Sequence, residues 1–327
     1  MNGRRVNTSK RQVLRPVVLT IAVLVLIAGA CSRQTRPKSQ ASERKPASDP
    51  EIEVSSTDDA SASDDPCSQM FSNLFVPVDS IAYGEYEIAR QHKVVHDKPT
   101  GADIPVSYAV LKSKGKTLAT FDGVYFGAGN ATDFGFASLL GGETKQLVVS
   151  QTVPRGGRHW IVDLSSNAAT VFDSHDWGLD PEDVCIHDFD GDGVDEISLA
   201  ITKFWGFGSM SMAESPLPGV VFKYEPGSRK YLPDKSAFAR GLANLDSDVQ
   251  NIDPGEKPQG ASRGPYLATR LDVFLRYVYA GRERDGWSFF EKTYNLDDKK
   301  EIEQKIRATL EEESVYRFVY GKSRGPG

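Results

Sequence analysis

Asp188-Phe189-Asp190-Gly191-Asp192-Gly193-Val194-Asp195-Glu196-Ile197, followed at once by Ser198-Leu199-Ala200-Ile201, is the stretch on which the reading of this chain turns. Counting from Asp188, carboxylates stand at positions 1, 3, 5 and 9. Gly193 at position 6 permits a sharp turn with positive φ, and the backbone carbonyl of Val194 falls at position 7. Alternating acids on a tightly curled loop aim their oxygens at one centre. Such a cage suits a hard cation with roughly six to eight oxygen ligands, and Ca²⁺ best of all. An EF-hand is excluded, because position 12 is Leu199 where a bidentate Glu is required. The alternative is an acidic turn that only closes a hairpin.

Outward from the loop, the apolar run Ile197–Ile201 reads as a strand. Loop and strand together resemble the FG-GAP/VCBS-type repeat of integrin-like β-propellers, whose loop binds Ca²⁺ between two strands of a blade. Carried over by position, the resemblance implies Asp188, Asp190, Asp192, the Val194 carbonyl and Glu196 as ligands of a structural Ca²⁺, with Asp195 facing solvent. Glu196 stands where the family more often has Asp. The motif covers about 14 residues, and the likeness extends weakly over 130–235.

An internal repeat supports a blade-like unit. At an offset of 50, Asp133 matches Asp183, Phe136 matches Ile186, Gly141 matches Gly191, and Leu147 and Val149 match Ile197 and Leu199. At an offset of 60, Ile161 to Asn167 matches Val221 to Gly227. The earlier loop, Ser138 to Gln146, lacks the acids. Residues 74–125 read as a third, degenerate unit, with alternation through Val106, Tyr108 and Val110 and a turn at Lys112–Lys116. The expected fold is therefore mainly β, antiparallel, of shortened propeller-like repeats over 67–245, because that length cannot supply seven blades.

The period then changes. Residues 246–265 are polar and rich in Pro and Gly, and read as a linker. From 266 to 327 the spacing is helical: Leu267, Leu271, Phe274, Leu275 and Val278 share one face, as do Ile302, Ile306 and Leu310. A small helical C-terminal domain is expected, with Asp298 and Glu301 forming a capping box for its last helix. The aromatics from Phe274 to Phe290 read as packing.

Further candidates are local. Phe204, Trp205, Phe207 and Met210, set between glycines, form a candidate contact loop, with core packing as the alternative. Asp173, His175, Asp176 and His187 cluster in sequence near the acidic loop, but Gly208-Ser209-Met210 lacks the closing Gly of a nucleophile elbow. His92 and His96 lack the Glu of a metalloprotease helix. Gly127 and Gly129 read as a turn.

The N-terminus carries an address. Residues 1–15 hold five basic residues and no acid, 17–30 are apolar save Thr20, and Ala28-Gly29-Ala30 leads into Cys31. These are the parts of a secretory signal. An apolar run of 14 residues is shorter than the roughly 20 of a comfortable span. The segment resembles a bacterial lipoprotein signal, with Cys31 as the lipidated residue and Ala28 where such signals usually carry Leu. The alternative is an uncleaved signal anchor. Both readings place the rest of the chain, exported and membrane-anchored, on the non-cytoplasmic side of the envelope. Residues 32–66 hold almost no apolar side chain and read as a disordered tether with an r.m.s. reach of roughly 30–35 Å. Its basic first part would lie near anionic headgroups.

Beyond residue 45 the chain has 29 basic and 44 acidic residues, a net of −15. That excludes nucleic acid as a partner of the folded part, since phosphate binding needs a basic footprint. With Cys31 set aside, Cys67 and Cys185 remain as a pair for a disulfide in an oxidising compartment, the alternative being two separate thiols. Together these readings lead to the expectation of a membrane-anchored, non-enzymatic binding or scaffold protein of the cell envelope with a structural Ca²⁺, its partner an envelope protein or a glycan. The alternatives are an envelope hydrolase or lyase acting on polysaccharide, and a purely structural lipoprotein.

Overall fold

The structure, a computed structural model, describes residues 77–123, 129–154, 156–165, 167–181, 183–237, 245–256 and 263–322, with positions 67, 74, 75 and 258. The targeting segment, Cys31 and the tether lie outside the described residues. Ser61–Gly327 forms one compact unit.

Among the described residues, three four-stranded antiparallel sheets follow one another along the chain. Sheet one holds β1 (Ser80–Tyr83), β2 (Tyr86–Asp97), β3 (Ala102–Ser113) and β4 (Lys116–Phe121). Sheet two holds β5 (Ala131–Ala137), β6 (Gln146–Val153), β7 (Gly156–Asp163) and β8 (Ala169–Asp173). Sheet three holds β9 (Val184–His187), β10 (Glu196–Ala200), β11 (Gly219–Glu225) and β12 (Lys230–Pro233). Within each sheet every strand pairs with its sequence neighbours, the up-and-down order of a propeller blade. The mainly β, blade-like reading holds, and residues 80–121 are a full third sheet. Lys114 and Gly115, with φ of 51° and 77°, turn β3 into β4, as a two-residue hairpin with both central residues left-handed requires.

Sheet two is covered on both faces. Leu147, Val149, Trp160 and Val162 pack with Ile88, Leu111 and Phe121 of sheet one. Their chain neighbours Val148 and Ile161 pack with Ile197, Leu199 and Phe222 of sheet three. This is the period-two alternation of a pleated strand with apolar residues in both phases. It accounts for the continuous runs at 147–149 and 160–164. Burying each such side chain contributes about 1.5–3 kcal/mol.

Five helices follow among the described residues: α1 (Leu245–Gln250), α2 (Arg263–Tyr279), α3 (Glu283–Thr293), α4 (Lys299–Glu312) and α5 (Ser314–Val319). They do not form the separate domain expected from 266. Leu267, Leu271, Phe274, Val278, Ile302, Ile306 and Leu310 belong to the same apolar cluster as sheets two and three. Trp177 meets Phe318 edge-on at 5.4 Å. The physical reason is that each short amphipathic helix has one apolar stripe, and sheet three supplies the surface that covers it. Nor is 246–265 only a linker, because Leu245 and Ile252 bury against Val273, Tyr277 and Phe289. Asp298 does stand at the start of α4, but its side chain caps no backbone group. It accepts from the Tyr294 hydroxyl at 3.1 Å and pairs with Arg263, while Glu301 pairs with Lys305.

Cys67 and Cys185 form a disulfide, with Cα atoms 4.9 Å apart. Leu74 lies across β5 so closely that a Cβ on Gly135 would stand 2.0 Å from the Leu74 carbonyl oxygen. Only glycine fits under that crossing.

Candidate metal centre

The acidic loop joins β9 to β10, and His187 pairs with Glu196 at its base. Asp188 curls the loop. Its Oδ1 accepts from the amides of Gly191 (2.7 Å) and Asp192 (3.1 Å), and its Oδ2 from that of Gly193 (2.9 Å). Gly191 and Gly193, with φ of 78° and 83°, supply the left-handed turns this needs. These amides, Gly193 first, hold the Asp188 carboxyl below the usual carboxylate range. Asp192 Oδ1 accepts from the Val194 amide at 2.9 Å.

Glu196 anchors the arrangement from the strand. It is fully buried, and its Oε2 accepts from the Phe189 amide at 2.8 Å. One oxygen each from Asp188, Asp190 and Glu196 lie within 4.8 Å of one another. Among the described residues, this is the one group of three metal-ligating side chains that converges. Asp195, expected to face solvent, is partly buried. Its amide donates to the Leu139 carbonyl at 2.8 Å, and its own carbonyl accepts from the Tyr231 hydroxyl at 3.1 Å. Burial first, and the Asp188 charge next, push its carboxyl up.

Lys223, on β11, was not singled out from the sequence, yet it reaches into the acids. Its Nζ lies 2.6 Å from Asp190 Oδ2, 2.6 Å from Asp192 Oδ2 and 3.3 Å from Glu196 Oε1. Hydrogen bonds to Asp190 and Asp192 push the ammonium pKa up. The bond from Lys223 in turn lowers Asp192. The all-oxygen donor set of Asp188, Asp190 and Glu196 fits a hard cation, and an ammonium already stands beside it.

The same frame recurs in sheet two without the acids. There Gln146 Oε1 accepts from the amides of Leu139 (2.8 Å) and Leu140 (3.3 Å). Residues 139 and 146 are the repeat partners of 189 and 196, so the buried side chain at the strand start closes both loops alike.

The other candidates are engaged elsewhere. Asp173 pairs through both oxygens with Arg158 (2.9 and 2.6 Å) and accepts from the His175 amide. His175 Nε2 faces Asp180 at 2.6 Å. Asp176 is pushed up by burial, and His187 stacks edge-on with Phe189 on the exposed loop. His92 and His96 lie on strand β2. In the loop with a contact-surface reading, Phe204 and Met210 are core residues with Phe207 packed against them, whereas Trp205 is half-buried and Met212 exposed. A Cβ on Gly208 would sit 3.0 Å from Leu267 Cδ2. A polar cleft of about 300 Å³ between sheets one and two, lined by Arg90, Ser107, Asn130, Thr132 and Asp133 among others, has its polar groups bonded to one another.

His159, in the core of sheet two, carries a stability signal. Its ring stands 3.1 Å from the Pro181 carbonyl and 3.0 Å from Ser150 Oγ. A carbonyl only accepts, so Nε2 holds the proton and Nδ1 accepts from Ser150. Burial pushes the pKa down to about 4, partly opposed by the Pro181 carbonyl. An unfolded His titrates near 6.5. Between those values the unfolded chain binds more protons, so stability falls as pH drops from about 6.5 to about 4. The loss amounts to about 3 kcal/mol. Denaturant unfolding across that window should show this slope, and His159→Gln should remove it.

No family model matches the chain, and no curated protein matches it. Among solved structures it is similar to the Bombyx mori GH32 β-fructofuranosidase BmSUC1, with 11% identity over 48% of this chain and a TM-score of 0.22. The chain spans 35% of that protein's length.

Proposed function

We propose that the chain is an exported, membrane-anchored binding or scaffold protein of the cell envelope, non-enzymatic, with a structural Ca²⁺ at the 188–196 loop. The convergence of Asp188, Asp190 and Glu196 oxygens within 4.8 Å carries the metal part of this reading. Asp192 and the Val194 carbonyl complete the ligand set that the FG-GAP/VCBS-type resemblance implies. The cation would fix the turn between β9 and β10, and with it the neighbouring loop at Leu139. Anchoring follows from the N-terminal signal and Cys31, and the acid-rich folded part directs the search for partners to envelope proteins or glycans. Crosslinking in intact cells tests this, and no envelope partner above background would remove its support.

The metal is tested by thermal unfolding of the full chain in detergent against added Ca²⁺, with Mg²⁺ as control. At 100 times its dissociation constant the ion should add about 2.7 kcal/mol, a rise of about 5–10 °C for a unit of this size. The rise should vanish in Asp190→Ala. No Ca²⁺-specific rise would reduce the loop to an acidic turn.

A further inference from the structure

We infer that Lys223 is a built-in competitor for the cation at this loop: its ammonium holds the acids when no divalent ion is present, and swings to solvent when one binds. The inference rests on the proposal that the loop takes Ca²⁺, and concerns how that binding is set.

Three observations carry it. The first is position. The Lys223 Nζ stands 2.6, 2.6 and 3.3 Å from oxygens of Asp190, Asp192 and Glu196, and an ammonium has three protons to give. An ion drawing on Asp190 and Glu196 would draw on carboxylates that Lys223 already holds, and two cations that close repel. The second is Glu196. Its side chain is fully buried, and among the described residues Oε1 takes no hydrogen bond of good geometry and meets the Lys223 ammonium at 3.3 Å. A buried carboxylate oxygen held so loosely remains free to take a stronger cation. The third is the repeat. At the position of Lys223, sheet two has Asp163, and opposite it stands neutral Gln146 in place of Glu196. The lysine therefore occurs in the unit that has the acids, and an acid takes its place in the unit that lacks them.

The lysine has a way out, since about a third of its side chain is exposed. Divalent binding is then reduced by the fraction of time the lysine occupies the acids. The site would respond to Ca²⁺ only at concentrations high enough to displace a tethered competitor.

The test uses the full chain in detergent. Acylation of Lys223 by an acetyl N-hydroxysuccinimide ester is followed by peptide mass spectrometry with and without Ca²⁺, with exposed Lys98 as the internal reference. Ca²⁺ binding by wild type and Lys223→Met is measured by calorimetry. Labelling of Lys223 should rise about tenfold in Ca²⁺, and K223M should bind Ca²⁺ about tenfold more tightly, the release of an occupancy near nine-tenths. Should K223M not fold, the wild-type labelling decides alone. Ca²⁺ binding with unchanged Lys223 labelling and no gain in K223M overturns the inference and leaves the calcium reading standing. Binding in K223M alone upholds the competition and overturns Ca²⁺ as the natural occupant. Binding in neither overturns both.

Discussion

Replacing Arg270 by Leu is expected to lower stability by about 3–5 kcal/mol, the cost of breaking a buried charged network. Arg270 is only 1% exposed. Its Nε donates to the Thr293 carbonyl at 2.9 Å, and its terminal nitrogens to the carbonyls of Tyr266 and Asp253, both at 3.2 Å, and to Glu256 at 2.9 Å. The guanidinium lies 3.5 Å from the centre of the Tyr266 ring. One side chain thus holds the 253–256 turn against α2 and the end of α3. Leu fills part of the volume but gives no donor, so the Asp253 carbonyl keeps only the Glu256 amide at 3.3 Å and the Glu256 carboxylate loses its bond from the guanidinium. Lys should recover little, because one ammonium cannot reproduce a planar fork directed at several carbonyls. Urea unfolding should show a lower midpoint with an unchanged slope. Arg282→Ala, which removes a half-exposed pair with Asp285, should move it by less than about 1 kcal/mol. A comparably small shift in Arg270→Leu would mean that the network contributes little.

Arg270 also shows what a sequence pattern conveys and what it hides. Leu267, Leu271, Phe274 and Val278 were legible as an apolar stripe because helical spacing alone defines it. Arg270 falls on that stripe, and an arginine among core positions was the available sign that something polar had to be bound there. What it binds was not legible, since three of the partners are backbone carbonyls, of Tyr266, Thr293 and Asp253, and a carbonyl leaves no side-chain pattern in the sequence. The same division holds at the acidic loop. The repeat at an offset of 50 marked both loops, and the equivalence of Gln146 with Glu196 follows from it. Lys223 escaped because it arrives across the sheet from β11, one strand on, and cross-strand neighbours follow from register rather than from spacing. The repeat at an offset of 60 contained the clue, pairing Lys223 with Asp163. The 204–212 loop stayed open between two readings for a related reason. Aromatic residues between glycines suit a surface loop or a core plug equally, and the helices that bury Phe204 and Met210 lie some 60 residues further along the chain.

Removing the bridge in Cys67→Ala/Cys185→Ala is expected to cost about 4–5 kcal/mol in the chain-entropy model, since it closes a loop with a sequence separation of 118. Most of that cost lies in the unfolded chain, which gains freedom when the cross-link goes. The rest is local. Cys67 precedes sheet one, whereas Cys185 sits on β9 opposite Ser198 of β10, so the bridge ties the entry of the chain to sheet three. Leu74 then crosses Gly135, and its side chain joins the core shared by sheets two and three. Without the bridge that crossing depends on packing alone. Thermal unfolding of oxidised, reduced and double-alanine protein should give one high midpoint and two lower ones that agree. Agreement of all three would show that packing by Leu74 and the core already holds the segment. Alkylation of the chain taken from its native compartment extends the test to location. An oxidising, non-cytoplasmic compartment leaves Cys67 and Cys185 unlabelled before reduction, whereas labelling of both would contradict export.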